Sequence, residues 1–264
     1  MSTPFVKMHG LGNDFAIFDS RETAMLLPEA RIRLLTDRRR GIGCDQLIIL
    51  ESTPRADLFM RIYNPDGSQA EACGNATRCV AQLLGGSPSI ETLGGILQAS
   101  AADNGVTIDM GAPAFGWQAI PLAYAMDSND MPVAWAPLER PIAVSMGNPH
   151  IIFFVPDAAA VDLETLGPEI EDDPLFPDRI NVNVATIHAP DHIRLRVWER
   201  GAGLTLACGS GACATYAAAR RRKLVGPRAT VSLPGGDLEI AETAAGTLAM
   251  TGPVATSFRG ETDL

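Results

Sequence analysis

Two stretches of the chain repeat a motif suited to acid–base chemistry. "EACGNATRCV" begins at Glu71 and "LACGSGACAT" at Leu206, so Cys73 and Cys208 each lie in an Ala-Cys-Gly turn running into a helix-like segment. A helix start leaves backbone N–H groups unpaired, and its dipole favours negative charge. A thiol placed there, with an ordinary pKa of about 8.5, is drawn toward the thiolate. The same N–H groups can cradle a carboxylate, and Gly74 and Gly209 let a ligand approach the backbone closely. Two such thiols on opposite sides of one carbon would take a proton from one face and return one to the other. The carbanion developing beside a carboxylate would be held as an enediolate-like species by helix-end donors.

Single cysteines in soluble proteins are more often packing residues than catalysts. Of the five cysteines, Cys44, Cys79 and Cys213 carry that expectation, the last two because they fall one to two turns into their helices. Cys73 and Cys208 escape it through their shared turn. The absence of a C-x-x-C pair argues against a zinc or thioredoxin-like site, so no metal is expected. The chain has two lysines, Lys7 and Lys223, and only Lys7 could serve as the Schiff base of a pyridoxal phosphate enzyme. A cofactor-free route is therefore favoured. "GLGND" and "GIGCD" do not complete a dinucleotide loop, and "CGSG" is not a nucleophile elbow. The same thiols also suit a redox switch, and the surrounding amides alone would suit a binding module without catalysis.

The elements that must position these residues follow from an internal repeat. Setting Cys73 on Cys208 gives an offset of 135, which also carries Asn13 onto Asn148, Gln46 onto Asn181 and Asn64 onto Glu199. "GGILQASAADNGVTIDMGAP" resembles "GGDLEIAETAAGTLAMTGPV" with the offset grown to about 140, as a short insertion requires. Any one of these polar residues alone would be read as a turn or cap; in register they form a ligand-facing set. Asn183 lies outside that register and is read as structural, and His150 after Asn148-Pro149 is an auxiliary candidate that could polarise or relay. Strand patterns fall at 15–18, 47–50, 58–63, 151–155, 181–187 and 193–198, and helical patterns at 28–38, 75–84, 158–166 and 210–224. The Pro-rich stretch 111–141 contains the link. Two pseudo-symmetric α/β domains, 1–118 and 119–264, are expected to meet at a cleft, the last residues packing back on the first half.

A formal net charge of −10, with no compensating basic block, opposes binding to nucleic acid. "RRRK" at 220–223 sits at a helix end, where the dipole favours it. No apolar run reaches membrane-spanning length and the first residues lack a signal-peptide core, so a cytoplasmic protein with reduced thiols is expected. The sequon at Asn75 is discounted on the same ground.

"MHGLGNDF", "GCDQLIIL", "IYNPDGSQAEACGNATRC", "GNPHIIFF", "NVNVATI" and "ERGAGLTLACGSGACA" together resemble the successive signatures of the diaminopimelate epimerase family, in order from Met8 to Ala214. Proline racemase and phenazine-type isomerases share the duplicated architecture but not "ERGAG" or "GNATRC". The resemblance implies an α+β fold of two pseudo-symmetric halves, each a curved, mostly antiparallel sheet around a central helix. It implies cofactor-independent interconversion of LL- and meso-2,6-diaminopimelate in lysine and peptidoglycan precursor synthesis, with no cofactor and a homodimeric assembly. Carried over by position, Cys73 and Cys208 are the acid–base thiols. Gly74-Asn75 and Gly209-Ser210 are the helix ends that hold the reacting carboxylate. Asn13, Gln46, Asn64, Asn148, Asn181, Glu199 and Arg200 are the remaining substrate contacts, with Arg200 suited to the distal carboxylate and Glu199 to an ammonium. Racemisation of a smaller imino acid is the alternative within this chemistry. The chain departs from the family pattern at Ala76, where Gly is usual, and at Ser210, where Thr is frequent.

Overall fold

Strand after strand in the computed structural model, which describes residues 2–263, grows from the β-branched and aromatic runs of the sequence. The chain begins with β1 (Ser2–Gly10), β2 (Asn13–Asp19) and helix α1 (Glu29–Thr36). It continues with β3 (Gln46–Glu51), β4 (Leu58–Tyr63), β5 (Gln69–Ala70) and α2 (Gly74–Leu84). Then come β6 (Ser89–Thr92), β7 (Gly95–Ala102) and β8 (Gly105–Asp109). Among the described residues β2–β3 and β4–β6 pair in parallel, and β1–β2, β3–β4, β4–β5, β6–β7 and β7–β8 antiparallel. Helix α2 is buried from Asn75 to Ala81.

The second unit contains the short hairpin β9 (Ala134–Trp135) and β10 (Leu138–Glu139), then β11 (Ile142–Ser145) and β12 (Pro149–Phe154). Helix α3 (Leu163–Glu171), β13 (Asn181–Ala189), β14 (His192–Glu199) and β15 (Gly203–Thr205) follow. Helix α4 (Gly209–Arg221), β16 (Arg228–Leu233), β17 (Gly236–Glu242) and β18 (Leu248–Gly252) complete the unit. The alanine-rich α4 is buried from Gly211 to Ala219 and packs Ala214 and Ala218 against Ile142, Val144 and Ile152. A second core joins Ile120, Leu122 and Met131 of the Pro-rich stretch to Trp135, Phe153 and Ile170. The last strand, β19 (Ala255–Asp263), pairs antiparallel with β1 from Ser2↔Asp263 onward.

The two units comprise residues 2–109 with 251–263, and residues 110–250. The Pro-rich stretch therefore belongs to the second unit, because its apolar residues supply that unit's core. The first boundary lies at 109 where the sequence suggested 118.

The repeat holds at the level of hydrogen-bonded register. Phe15↔Gln46 becomes His150↔Asn181, Leu47↔Tyr63 becomes Val182↔Trp198, and Ile62↔Ala70 becomes Val197↔Thr205, each displaced by 135. Beyond the cysteine turns the offset is 141: Ile90↔Leu97 becomes Val231↔Leu238. Gly94 N–H donates to Glu71 O, and Gly235 N–H to Leu206 O, both at 2.8 Å. These matched bonds tie a hairpin tip to the approach of each thiol turn.

One expected helix is corrected. The 158–166 pattern is a 3₁₀ turn at Ala158–Ala160, a break at Val161, and then α3, which runs to Glu171 through Pro168. Two successive aspartates divide it: Asp157 accepts from Ala159 N, and Asp162 accepts from Thr165 N. Each satisfies orphan donors of its own helix start.

Candidate functional site

In the first unit, Cys73 is the N-cap of α2, with φ −149° and ψ 108°. The sulfur lies 3.8 Å from Asn13 Oδ1. That oxygen also accepts from Asn75 Nδ2 at 3.2 Å, and Asn75 Oδ1 accepts from Arg78 at 2.7 Å. Asn13 Nδ2 donates to Asp45 Oδ2 at 2.9 Å. Arginine can only donate and an ionised carboxylate can only accept. The chain Arg78, Asn75, Asn13, Asp45 therefore has one direction, and it turns the Asn13 carbonyl toward sulfur.

Asp45 is held in turn. Its N–H donates to Asp14 Oδ1 at 2.9 Å, and Arg38 bridges both carboxylates. Burial opposes ionisation of Asp14, but hydrogen bonds from Arg38 and Lys7 outweigh it and bring the carboxyl down to about 2. Lys7 is 5% exposed and is committed to Asp14 and the Gly43 carbonyl. Those two contacts tie Lys7 to the ion cluster behind Asn13. Gln46 donates to Asn64 Oδ1 at 3.0 Å, and Asn64 donates to Ser68 Oγ at 3.1 Å.

In the second unit Cys208 caps α4, and its sulfur accepts from Gly211 N–H at 3.3 Å. Ser210 Oγ lies 3.6 Å from the sulfur and accepts from Asn148 Nδ2 at 3.2 Å. This is the counterpart of the Asn75–Asn13 bond. Behind it, Asn148 Oδ1 faces His150 Nε2 at 3.0 Å, and His150 Nδ1 faces Asn183 Nδ2 at 3.2 Å. Asn183 Nδ2 also donates to the Ile151 and Asn181 carbonyls. Its NH₂ must therefore face the ring, so Nδ1 accepts, Nε2 carries the proton, and the Asn148 amide has one orientation. Full burial, with the nearby Arg200 charge, depresses His150 to about 3, which keeps the ring neutral.

The two thiols differ in environment. Cys208 is 4% exposed, and burial followed by the Glu199 carboxylate pushes its pKa well above the ordinary value, against the opposing Ser210 and Gly211 hydrogen bonds. Cys73 is half-buried. All five cysteines carry thiols; Cys79 and Cys44 lie in the core, where burial raises them to about 12 and about 11, and Cys213 is likewise buried. Glu199 accepts from Thr205 Oγ1. Asn181 Oδ1 accepts from Arg200 N at 3.0 Å, and Arg200 donates to the Asp178 carbonyl at 2.8 Å while remaining exposed.

Thus Cys73, Asn13, Gly74 and Asn75 cluster in one unit with Gln46 and Asn64 beside each other, and Cys208, Gly209, Ser210, Asn148 and His150 cluster in the other, with Asn181 on the Arg200 backbone. The sequon at Asn75 is 3% exposed and inaccessible to glycosylation. Sequence reasoning passed over Arg78 and Asp45 and read Asn183 as structural, although all three set the direction of the site amides. Asn183 shares a strand face with Asn181, a period-two signal that the repeat register hid. Among the described residues no helix is long and apolar enough to cross a membrane, and no group of three His, Cys, Asp or Glu side chains is placed to hold a metal ion.

A family model described as diaminopimelate epimerase matches residues 5–116 and 142–257. A Rhizorhabdus wittichii protein named diaminopimelate epimerase is 58% identical, the match spanning 100% of this chain and 97% of that protein. One of the same name from Erythrobacter litoralis is 55% identical, spanning 100% of this chain and 98% of that protein. Among solved structures, a hydroxyproline epimerase from Agrobacterium vitis superposes with a TM-score of 0.70 at 17% identity, covering 99% of this chain and 91% of that one. At that identity the last likeness is one of fold.

Proposed function

The chain belongs to the diaminopimelate epimerase family, and on that premise we propose that it interconverts LL- and meso-2,6-diaminopimelate by cofactor-independent, two-base proton transfer in lysine and peptidoglycan precursor synthesis. The observation that carries this reading is the repeated thiol turn, with Cys73 and Cys208 each capping a helix start beside pseudo-equivalent amides. One sulfur enters as thiolate and takes the α-proton. The other enters as thiol and gives a proton to the opposite face, so the C–H bond breaks on one side, forms on the other, and the protonation of the pair is exchanged. The N–H groups opening α2 and α4, at Gly74-Asn75 and Gly209-Ser210, hold the reacting carboxylate while charge develops on it.

Asn13, Gln46, Asn64, Asn148 and Asn181 supply the amides that read the substrate, and Arg200 pairs with the distal carboxylate. Gln46 Oε1 is buried without a hydrogen-bond partner among the described residues, which suits it to accept from a substrate ammonium. An ammonium paired with Glu199 would offset the charge that holds the Cys208 thiol up. The neutral His150 keeps Asn148 aligned. A cytoplasmic homodimer completes the reading, drawn from the family and checked by light scattering of the purified protein.

The test is incubation of the reduced protein with LL-diaminopimelate in deuterated water. Formation of the meso isomer with one α-deuterium is expected; neither exchange nor meso product would sink the reading.

A further inference from the structure

Glu171, the last residue of α3, has a side chain only 7% exposed, yet it carries a carboxylate with three donors. Trp198 Nε1 donates to Oε2 at 2.7 Å, Gly201 N–H to Oε1 at 2.8 Å, and Arg179 to Oε1 at 3.1 Å. Trp198 and Gly201 stand immediately on either side of the Glu199–Arg200 dipeptide. Helix α3 is fitted to this contact, since a Cβ on Gly167 would come within 2.4 Å of the Trp198 ring.

The other half of the repeat does without this carboxylate. Both halves close the same turn, with Gly67 N–H donating to Asn64 O and Ala202 N–H to Glu199 O. In the first unit the turn is capped by its own Asp66, which accepts from the N–H and hydroxyl of Ser68. The residue equivalent to Asp66 is Gly201, with φ +75°, a left-handed conformation that favours glycine and supplies no acceptor. The residue equivalent to Glu171 is Thr36, whose hydroxyl bonds only carbonyls of its own helix. The second turn therefore uses an acceptor from α3 where the first uses a local cap. Arg200 is exposed, so its side chain is aimed by its hydrogen bond to the Asp178 carbonyl and by the backbone beneath it.

We infer that Glu171 is a positioning residue for substrate recognition: by clamping Trp198 and Gly201 it fixes how Glu199 and Arg200 meet the non-reacting end of the substrate. This rests on the diaminopimelate reading above. The role predicts a larger effect on binding than on turnover, because Arg200 reads the distal end while Glu199, whose carboxylate bears on Cys208, is held by Thr205 as well.

The experiment is steady-state kinetics on LL-diaminopimelate for the wild type, Glu171→Gln, Trp198→Phe and the control Glu169→Gln, each with a melting curve. Losing hydrogen bonds to a charged acceptor should raise KM about tenfold in Glu171→Gln, with kcat within about twofold. Trp198→Phe, which keeps a ring against Gly167 but loses the N–H donor, should raise KM about threefold. The control should match the wild type. An unchanged KM in both variants, or a fall in kcat that tracks a lowered melting temperature at constant KM, overturns the inference. If Glu171→Gln fails to fold, the KM of Trp198→Phe decides alone. A wild type without turnover overturns the diaminopimelate reading, and this inference with it; an active wild type with indifferent variants overturns Glu171 only.

Discussion

The two thiol turns share a backbone but not a polarity. At Cys73 the amide of Asn13 is pulled by Asp45 so that its oxygen faces sulfur; at Cys208 the equivalent amide is turned by His150 so that its NH₂ faces Ser210, and sulfur receives an N–H from Gly211. A donor beside sulfur favours the anion. Burial and Glu199 work against that anion at Cys208 until a cation arrives. Duplication thus preserved the frame, and divergence in residues one layer below made the two sulfurs unequal. The proposed two-base transfer would need that inequality, since one thiol must hold a proton while the other lacks it.

The comparison breaks most severely at the sulfurs. Cys73→Ala and Cys208→Ala should each lower epimerisation on the order of a thousandfold, measured by meso formation, while the buried Cys44→Ala should stay near wild type. Equal losses in all three would return the cysteines to packing roles.

The layer below can be tested without touching sulfur. Asp45→Ala releases the Asn13 amide and should cost roughly ten- to hundredfold in kcat through lost alignment. His150→Phe installs the residue of the equivalent position, Phe15, and should cost about tenfold through one lost hydrogen bond and a misaligned amide. The two variants should skew deuterium wash-in from the LL and meso isomers in opposite senses. Skews of the same sign would show that the amide polarities do not distinguish the sulfurs.

The smallest effect concerns stability. The Asp14 carboxyl lies at about 2 folded against an ordinary 3.8. The unfolded state therefore binds more protons between those values, so the contribution is complete above pH 3.8 and disappears as pH falls through 2. It is on the order of 2 kcal/mol. Asp14→Asn should be the less stable protein at pH 6 and should lose less further stability on acidification to pH ~2.5, measured by urea midpoints. Parallel pH dependence in the two proteins would remove the ion cluster from the account.

What the sequence disclosed and what it hid divide along a physical line. Cys73, Cys208 and the amides at 13, 46, 148 and 181 were legible because the repeat displays them in pairs, and the main strands were legible because apolar periodicity is local. Arg78, Asp45 and Glu171 were not, because their roles are set by partners that folding brings from elsewhere. Strand β19 was missed for a related reason: it is exposed along almost its whole length and has no apolar alternation to betray it. The break at Val161 needed two adjacent caps, each unremarkable alone.

The pairing of β1 with β19 also sets an order of assembly. The partner that β1 requires is synthesised only after the whole of the second unit, so the first unit closes across a very long loop while the second draws its contacts from contiguous chain. On the ribosome the later-made half can fold to completion first, leaving the earlier-made half waiting with an open sheet edge. Such an edge invites other strands, which makes the interval before β19 emerges the time when this chain has most to gain from a chaperone.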